Sequence, residues 1–115
     1  MPHFVAEYSR GIESVCPPRE VMECLHSAAL ESGLFAEAAI KVRLVPVEHY
    51  LVGGKIVPFV HVTASILDGR SLDQKQDLTS LVLKRLKDQL GDALSITVDV
   101  RDTVRATYAK HSPLE

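Results

Sequence analysis

Tryptophan is absent from this chain, and aromatics are few: three phenylalanines and three tyrosines in 115 residues. A core must therefore rest on Val, Leu, Ile and Ala, and small domains of that kind often bury further apolar surface by self-association. Cysteine is scarce as well. Cys16 and Cys24 form neither a C-x-x-C motif nor a disulfide framework, so a reducing cytoplasm is the expected compartment. No stretch approaches the roughly 18 apolar residues of a membrane helix, and no basic region followed by an apolar run heads the chain as in a signal peptide. Charge of one sign is lacking too: the net charge is −2 and Lys and Arg are scattered. That excludes a basic stripe and an aromatic–basic interleave, so neither nucleic acid nor a membrane is an expected partner. His3, His26, His49, His61 and His111 have no ligand spacing with one another or with either cysteine, which argues against a metal site. There is no G-x-S-x-G nucleophile motif and no phosphate-cradling glycine loop. Asp99 and Asp102, three apart on an expected strand, point to opposite faces and are not paired carboxylates.

What is present is alternation and helical spacing in a regular order. Residues 2–9 alternate as a strand, with Pro2, Phe4, Ala6 and Tyr8 on one face and His3, Val5 and Glu7 on the other. Pro17 and Pro18 open a helix on which Val21, Leu25, Ala28 and Ala29 share a side, and Gly33 is a natural stop. "AIKVRLVPV" alternates again, Ile40, Val42 and Leu44 opposing Lys41 and Arg43. Gly53-Gly54 is a hairpin signal, and a strand runs from Pro58 to about Ile66. Ser71-Leu72-Asp73-Gln74 has the capping-box form and leads a helix that turns Leu78, Leu81, Val82, Leu86 and Leu90 inward, with Gly91 beyond its end. "ALSITVDVR" closes the order as a last strand carrying Ile96, Val98 and Val100.

The two halves register as strand–helix–strand written twice, Phe4 aligning with Phe59, Leu25 with Val82, and Ile40, Val42 and Leu44 with Ile96, Val98 and Val100. Right-handed crossovers make each half a βαβ unit with parallel strands. The fold class expected is therefore α/β (α+β): two βαβ units related by a pseudo-twofold axis, a four-stranded mixed sheet, and both helices on one face, as one domain over residues 1–115. The other face would carry Phe4, Phe59 and His61 beside Lys41 and Arg43. Such a face is too apolar to stay wet and too charged for a dry core, and a homotrimer that turns these faces together would resolve both problems.

Proline directly behind the initiator methionine is the remaining oddity. Methionine aminopeptidase usually removes Met before a small residue such as Pro, which would leave a secondary amine at the head of a strand. Pro58 begins the second repeat in the same way, yet its nitrogen is an amide without an available lone pair; only chain-end chemistry separates the two.

Together and in order, Pro2-His3-Phe4, Glu7, Ser9, Gly33-Leu34-Phe35, Phe59-Val60-His61-Val62-Thr63 and Gly69-Arg70-Ser71-Leu72 resemble the 5-carboxymethyl-2-hydroxymuconate Δ-isomerase family of the tautomerase superfamily, over roughly residues 2 to 100. The opening and "GRSL" are the most specific parts of the likeness. It implies a homotrimer of double βαβ subunits that shifts a double bond in an unsaturated 2-hydroxy or 2-oxo dicarboxylic acid, without cofactor or metal, in aromatic compound catabolism. Carried over by residue, Pro2 is the catalytic base and Arg70 a cationic substrate-binding residue. Lys41 stands where these isomerases usually have a second functional arginine, and Arg43 aligns with a neighbouring basic position.

The chemistry suits those residues. A free α-amine starts near about 8, and burial and nearby cations such as Arg70 and Lys41 both lower it toward the range a general base needs. Cations also anchor carboxylates and stabilise a developing dienolate. Lysine keeps the sign of arginine but not its fork, so substrate preference should differ from the family pattern. Read without the resemblance, Arg70 is a solvated loop residue, and Lys41 and Arg43 are surface charges or partners of Asp99. The loop around Glu48-His49-Tyr50 is a further possible lining. Two alternatives stay open: a hydratase, dehalogenase or decarboxylase of a related acid using the same Pro2, or a non-catalytic trimeric binding protein.

Overall fold

A computed structural model describes residues 1–114. Strand β1 (His3–Ser9) is followed by a 3-10 turn (Arg10–Ser14), helix α1 (Pro18–Glu31), a short 3-10 turn (Glu37–Ala39) and strand β2 (Lys41–Val47). The second half repeats the order with β3 (Phe59–Leu67), α2 (Leu72–Leu90), β4 (Ser95–Thr103) and a closing 3-10 turn (Arg105–Thr107). The sheet order is β2-β1-β3-β4, parallel within each half and antiparallel where β1 meets β3. This is the mixed sheet that two βαβ units joined by their first strands must give.

The local reasons lie in the sequence. Pro17 and Pro18 occupy the N-cap and first helical position of α1, where a missing N–H costs nothing, and Gly33 (φ 72°) ends the turn beyond it. Both bonds of the α2 capping box form: Ser71 Oγ accepts from the Gln74 N–H at 3.1 Å, and the Ser71 N–H donates to Gln74 Oε1 at 2.9 Å. Gly53 and Gly54, both at positive φ, close a small hairpin between Val52 and Lys55.

One core lies between the helices and the sheet. Phe4, Ala6 and Tyr8 of β1 and Val60, Val62, Ala64 and Ile66 of β3 meet Val21, Leu25, Ala28 and Ala29 of α1 and Leu78, Val82 and Leu86 of α2. Leu81, Leu90, Ile96, Val98 and Val100 pack at its margin. Two expectations are corrected here. Phe4 does not stand on the open face; it is fully buried on the helix side, edge-on to Phe35 at 6.3 Å. In the first strands the repeat is accordingly shifted by one residue, so that Phe4 corresponds to Val60 and Pro2 to Pro58; in the second strands it is shifted by two, so that Val42 and Leu44, not Ile40 and Val42, correspond to Ile96 and Val98. Backbone pairing fixes this: the Pro2 carbonyl accepts the Lys41 N–H at 3.1 Å, and the Pro58 carbonyl accepts the Ser95 N–H at 2.9 Å.

The face without helices carries His3, Val5, Glu7, Lys41, Arg43 and Val45 on one half of the sheet and Phe59, His61, Thr63, Asp99 and Arg101 on the other. No helix among the described residues is long and apolar enough to cross a membrane.

Candidate active site

Pro2 leads β1 and is fully buried. In β2, Lys41 is paired with His3, and its Nζ donates to the Ala39 carbonyl at 3.1 Å. Alternation puts Arg43 two residues further along the same face, opposite Val5. On the other side of β1, His3 faces Ser65, so Pro2 lies at the end of the sheet where β3 finishes at Leu67. Arg70 follows at that same end. Its Nη2 donates to the Leu34 carbonyl at 2.7 Å, its Nη1 to the Leu67 carbonyl at 3.4 Å, and its guanidinium lies 5.3 Å over the Phe35 ring. Arg70 thus ties the loop before α2 to the loop after α1. Phe35 in turn packs on Phe4, two residues from Pro2 on the same face of β1. Pro2, Lys41, Arg43 and Arg70 therefore gather at one end of the sheet, with Lys41 and Arg43 on the open face and Arg70 toward the helix side.

Two residues with no assigned role belong to this constellation. The Arg43 guanidinium lies with Nη1 3.0 Å from His3 Nδ1, and His3 Nε2 is 3.1 Å from the Tyr108 hydroxyl. A guanidinium can only donate, so Nδ1 carries a lone pair and His3 is the neutral Nε2–H tautomer, donating to Tyr108 Oη. Burial, then the positive charges of Arg43, Lys41 and the amino terminus, hold the His3 pKa below its ordinary 6.5. His3 stands in the quoted Pro2-His3-Phe4 and was legible as the neighbour of Pro2. Tyr108 carried no signal, because it reaches His3 only through the fold of the segment after β4.

The other possible partners lie elsewhere. Asp99 accepts from Arg101 Nε at 2.7 Å on β4, across the whole sheet from β2, so within one chain it does not pair with Lys41 or Arg43. Asp102 pairs with Lys75 of α2 at 3.2 Å, on the opposite face from Asp99. Within one chain the Glu48–Tyr50 loop belongs to the far end of the strands, where Glu48 pairs with Arg10 and Tyr50 packs on Phe59 at 5.2 Å. Three clefts of about 430, 480 and 460 Å³ follow the helix flanks, and Pro2 lines none of these three.

The chain is thus a double βαβ sheet led by proline, with cations at that end. The family model for 5-carboxymethyl-2-hydroxymuconate isomerase matches residues 2–115, and the chain belongs to that family, which makes it an isomerase. Among solved structures, the fold is similar to a 5-carboxymethyl-2-hydroxymuconate isomerase from Deinococcus radiodurans R1 (TM-score 0.84, 21% identity, 98% of this chain and 90% of that chain). It is also similar to a member of the cis-3-chloroacrylic acid dehalogenase family (TM-score 0.82, 16% identity, 96% and 80%). A third likeness is to a fused 4-OT described as a symmetric trimer (TM-score 0.79, 16% identity, 94% and 90%). A direct comparison with curated protein sequences finds no match.

Proposed function

We propose that this isomerase, a single tautomerase-like domain over residues 1–115 acting as a cytoplasmic homotrimer, shifts a double bond in an unsaturated 2-hydroxy dicarboxylic acid of the 5-carboxymethyl-2-hydroxymuconate type, with Pro2 as general base. The buried position of Pro2 beside Lys41, at the end of the sheet that also holds Arg70, carries the reading. Removal of Met1 turns the Pro2 nitrogen from an amide into a secondary amine. Burial disfavours its ammonium form, and the cations on β2 act in the same direction. The neutral amine takes the 2-hydroxyl proton; the electron pair released passes along the conjugated system as a dienolate; the proton returns to a carbon further along the chain. Atoms and charge balance without a co-reactant. The cations hold the carboxylates and offset the negative charge that develops on the dienolate.

Arg70 is the more rigid of the anchors, because two carbonyls and an aromatic ring fix its plane. Lys41 supplies a point charge where a fork is usual, which favours altered selectivity within the same substrate class.

The test is ultraviolet-monitored isomerisation of 5-carboxymethyl-2-hydroxymuconate by protein whose mass shows that Met1 is gone. Rapid conversion is expected without added cofactor. Pro2→Ala should lower kcat at least about 100-fold, the range for loss of a general base, with the assembly intact. Full activity in Pro2→Ala would overturn the assignment. No conversion by the wild type would move the search to other unsaturated acids or to binding.

A further inference from the structure

The geometry points to His3 as a positioning residue: held between Arg43 and Tyr108, it orients the Arg43 guanidinium as a forked receptor for a substrate carboxylate and pins the segment after β4 against the start of β1. The inference rests on the isomerase reading for the substrate that brings the carboxylate.

Three observations converge on it. Arg43 is exposed, and an exposed arginine samples many rotamers; here one nitrogen is committed, Nη1 to His3 Nδ1 at 3.0 Å. Arginine has five N–H donors in one plane, so a single fixed bond sets the direction of the rest and leaves an edge for two parallel bonds to a carboxylate. Lys41, on the same face of β2, cannot supply that fork, and its Nζ already donates to the Ala39 carbonyl. The fork missing at Lys41 is therefore available two residues along, provided His3 holds it.

The second arm of the ring reaches Tyr108, 3.1 Å from Nε2, with the two rings edge-to-face at 6.1 Å. Tyr108 follows the 3-10 turn at Arg105–Thr107, so this contact brings the segment after β4 back across the sheet to β1. His3 is bonded directly to Pro2, which couples the receptor, the returning segment and the proposed base through one peptide unit.

The Arg43 arm requires neutral His3, whereas the Nε2–H that donates to Tyr108 is present in either protonation state. A protonated ring would aim an N–H at the N–H groups of Arg43. The charged groups acting on it are Lys41 and Arg43 from β2 and the amino terminus; across the sheet it faces Ser65, with Arg101 beyond on β4, and Tyr108 closes the site from the tail. The Arg43 arm should therefore hold at pH 6.5 and above and fail only as pH falls through the lower pKa of folded His3, while the Tyr108 contact persists.

Kinetics of His3→Asn, His3→Gln and His3→Ala test this in the full-length, processed protein. Asn keeps an acceptor near the Nδ1 position but does not titrate; Gln reaches the Nε2 position; Ala supplies neither. Expected for His3→Ala is a KM increase on the order of ten-fold, as for a lost hydrogen bond to a charged group, with kcat changed much less. Asn should restore KM and remove the rise in KM that the wild type shows at acid pH, leaving the pH limb of Pro2 in place. Gln should restore amide-exchange protection of residues 105–108 without restoring KM. Nitrogen NMR of the ring should show the Nε2–H tautomer at pH 7, and calorimetry with adipate, a saturated dicarboxylate, should show weaker binding to His3→Ala. An unchanged KM and an unchanged adipate affinity in His3→Ala would overturn the inference while leaving the isomerase reading intact. A wild type with the expected tautomer and adipate binding but no turnover would overturn the isomerase reading instead.

Discussion

At the scale of single residues, the two ends of β1 pose opposite problems in burying polar chemistry. At the Pro2 end, Arg70 and His3 hand their hydrogen bonds to fixed partners, so positive charge accumulates without a collapse of geometry. At the far end, Tyr8 is buried and its hydroxyl donates to Glu13 at 2.5 Å. Burial first, and then the Glu13 carboxylate, push the Tyr8 phenol up to about 12. In the unfolded chain that phenol ionises near its ordinary 10.0. Between these values the unfolded state releases a proton that the folded state keeps, so stability must fall as pH rises. Thermal melts from pH 8 to 12 should show this decline in the wild type, and Tyr8→Phe should flatten it. A decline of equal steepness in Tyr8→Phe would assign it to other groups.

At the scale of elements, local chemistry was the most legible part of the chain. The capping box of α2, the proline start of α1 and the Gly53-Gly54 turn are each decided within about four residues, and all three form as the sequence suggests. Ser71→Ala removes the acceptor for the Gln74 N–H and should cost about 1 kcal/mol in urea unfolding, with no change in m-value. A loss within error of zero would show that the first turn of α2 is held by packing alone. What the sequence left obscure is relational. Alternation correctly grouped Pro2, Phe4, Ala6 and Tyr8, but it cannot say which group faces the helices, and aligning Phe4 with Phe59 turned Phe4 outward. The backbone pairing of Pro2 with Lys41 and of Pro58 with Ser95 is what sets the true register. The same limit applies at the site. Pro2, Lys41, Arg43 and Arg70 are candidates that the family resemblance supplies, whereas Tyr108 comes to the same end of the sheet only because the segment beyond β4 folds back over His3. The conceivable pairing of Asp99 with the β2 cations within one chain failed for the same kind of reason: strand order, which no residue type records, puts the two at opposite edges.

At the scale of the whole molecule, the single chain has more surface than its mass requires. Its accessible area is 6900 Å² and its mass 12.7 kDa, whereas a folded monomer of that mass should expose roughly 6200 Å². Its radius of gyration of 14.5 Å likewise exceeds the about 13.4 Å expected for this length. The sheet face that neither helix covers is part of this surface. Across its middle, Arg43, Val5, Thr63 and Asp99 lie side by side on the four strands, with His61 and Phe59 further along β3. Three copies packing these faces together would bury Val5 and Phe59 and bring charges of both signs into contact. Sedimentation equilibrium should then give a mass of roughly 38 kDa, three times 12.7 kDa. Val5→Lys tests the face itself. The new ammonium would stand beside Arg43, a like charge, and burying it unpaired would cost several kcal/mol. In a lone chain the same position is only half-buried, and the substitution should leave the melting temperature nearly unchanged. The expected outcome is therefore a folded monomer that has lost turnover if neighbouring copies complete the pocket around Pro2. A wild type that sediments at 12.7 kDa would overturn self-association through the open face.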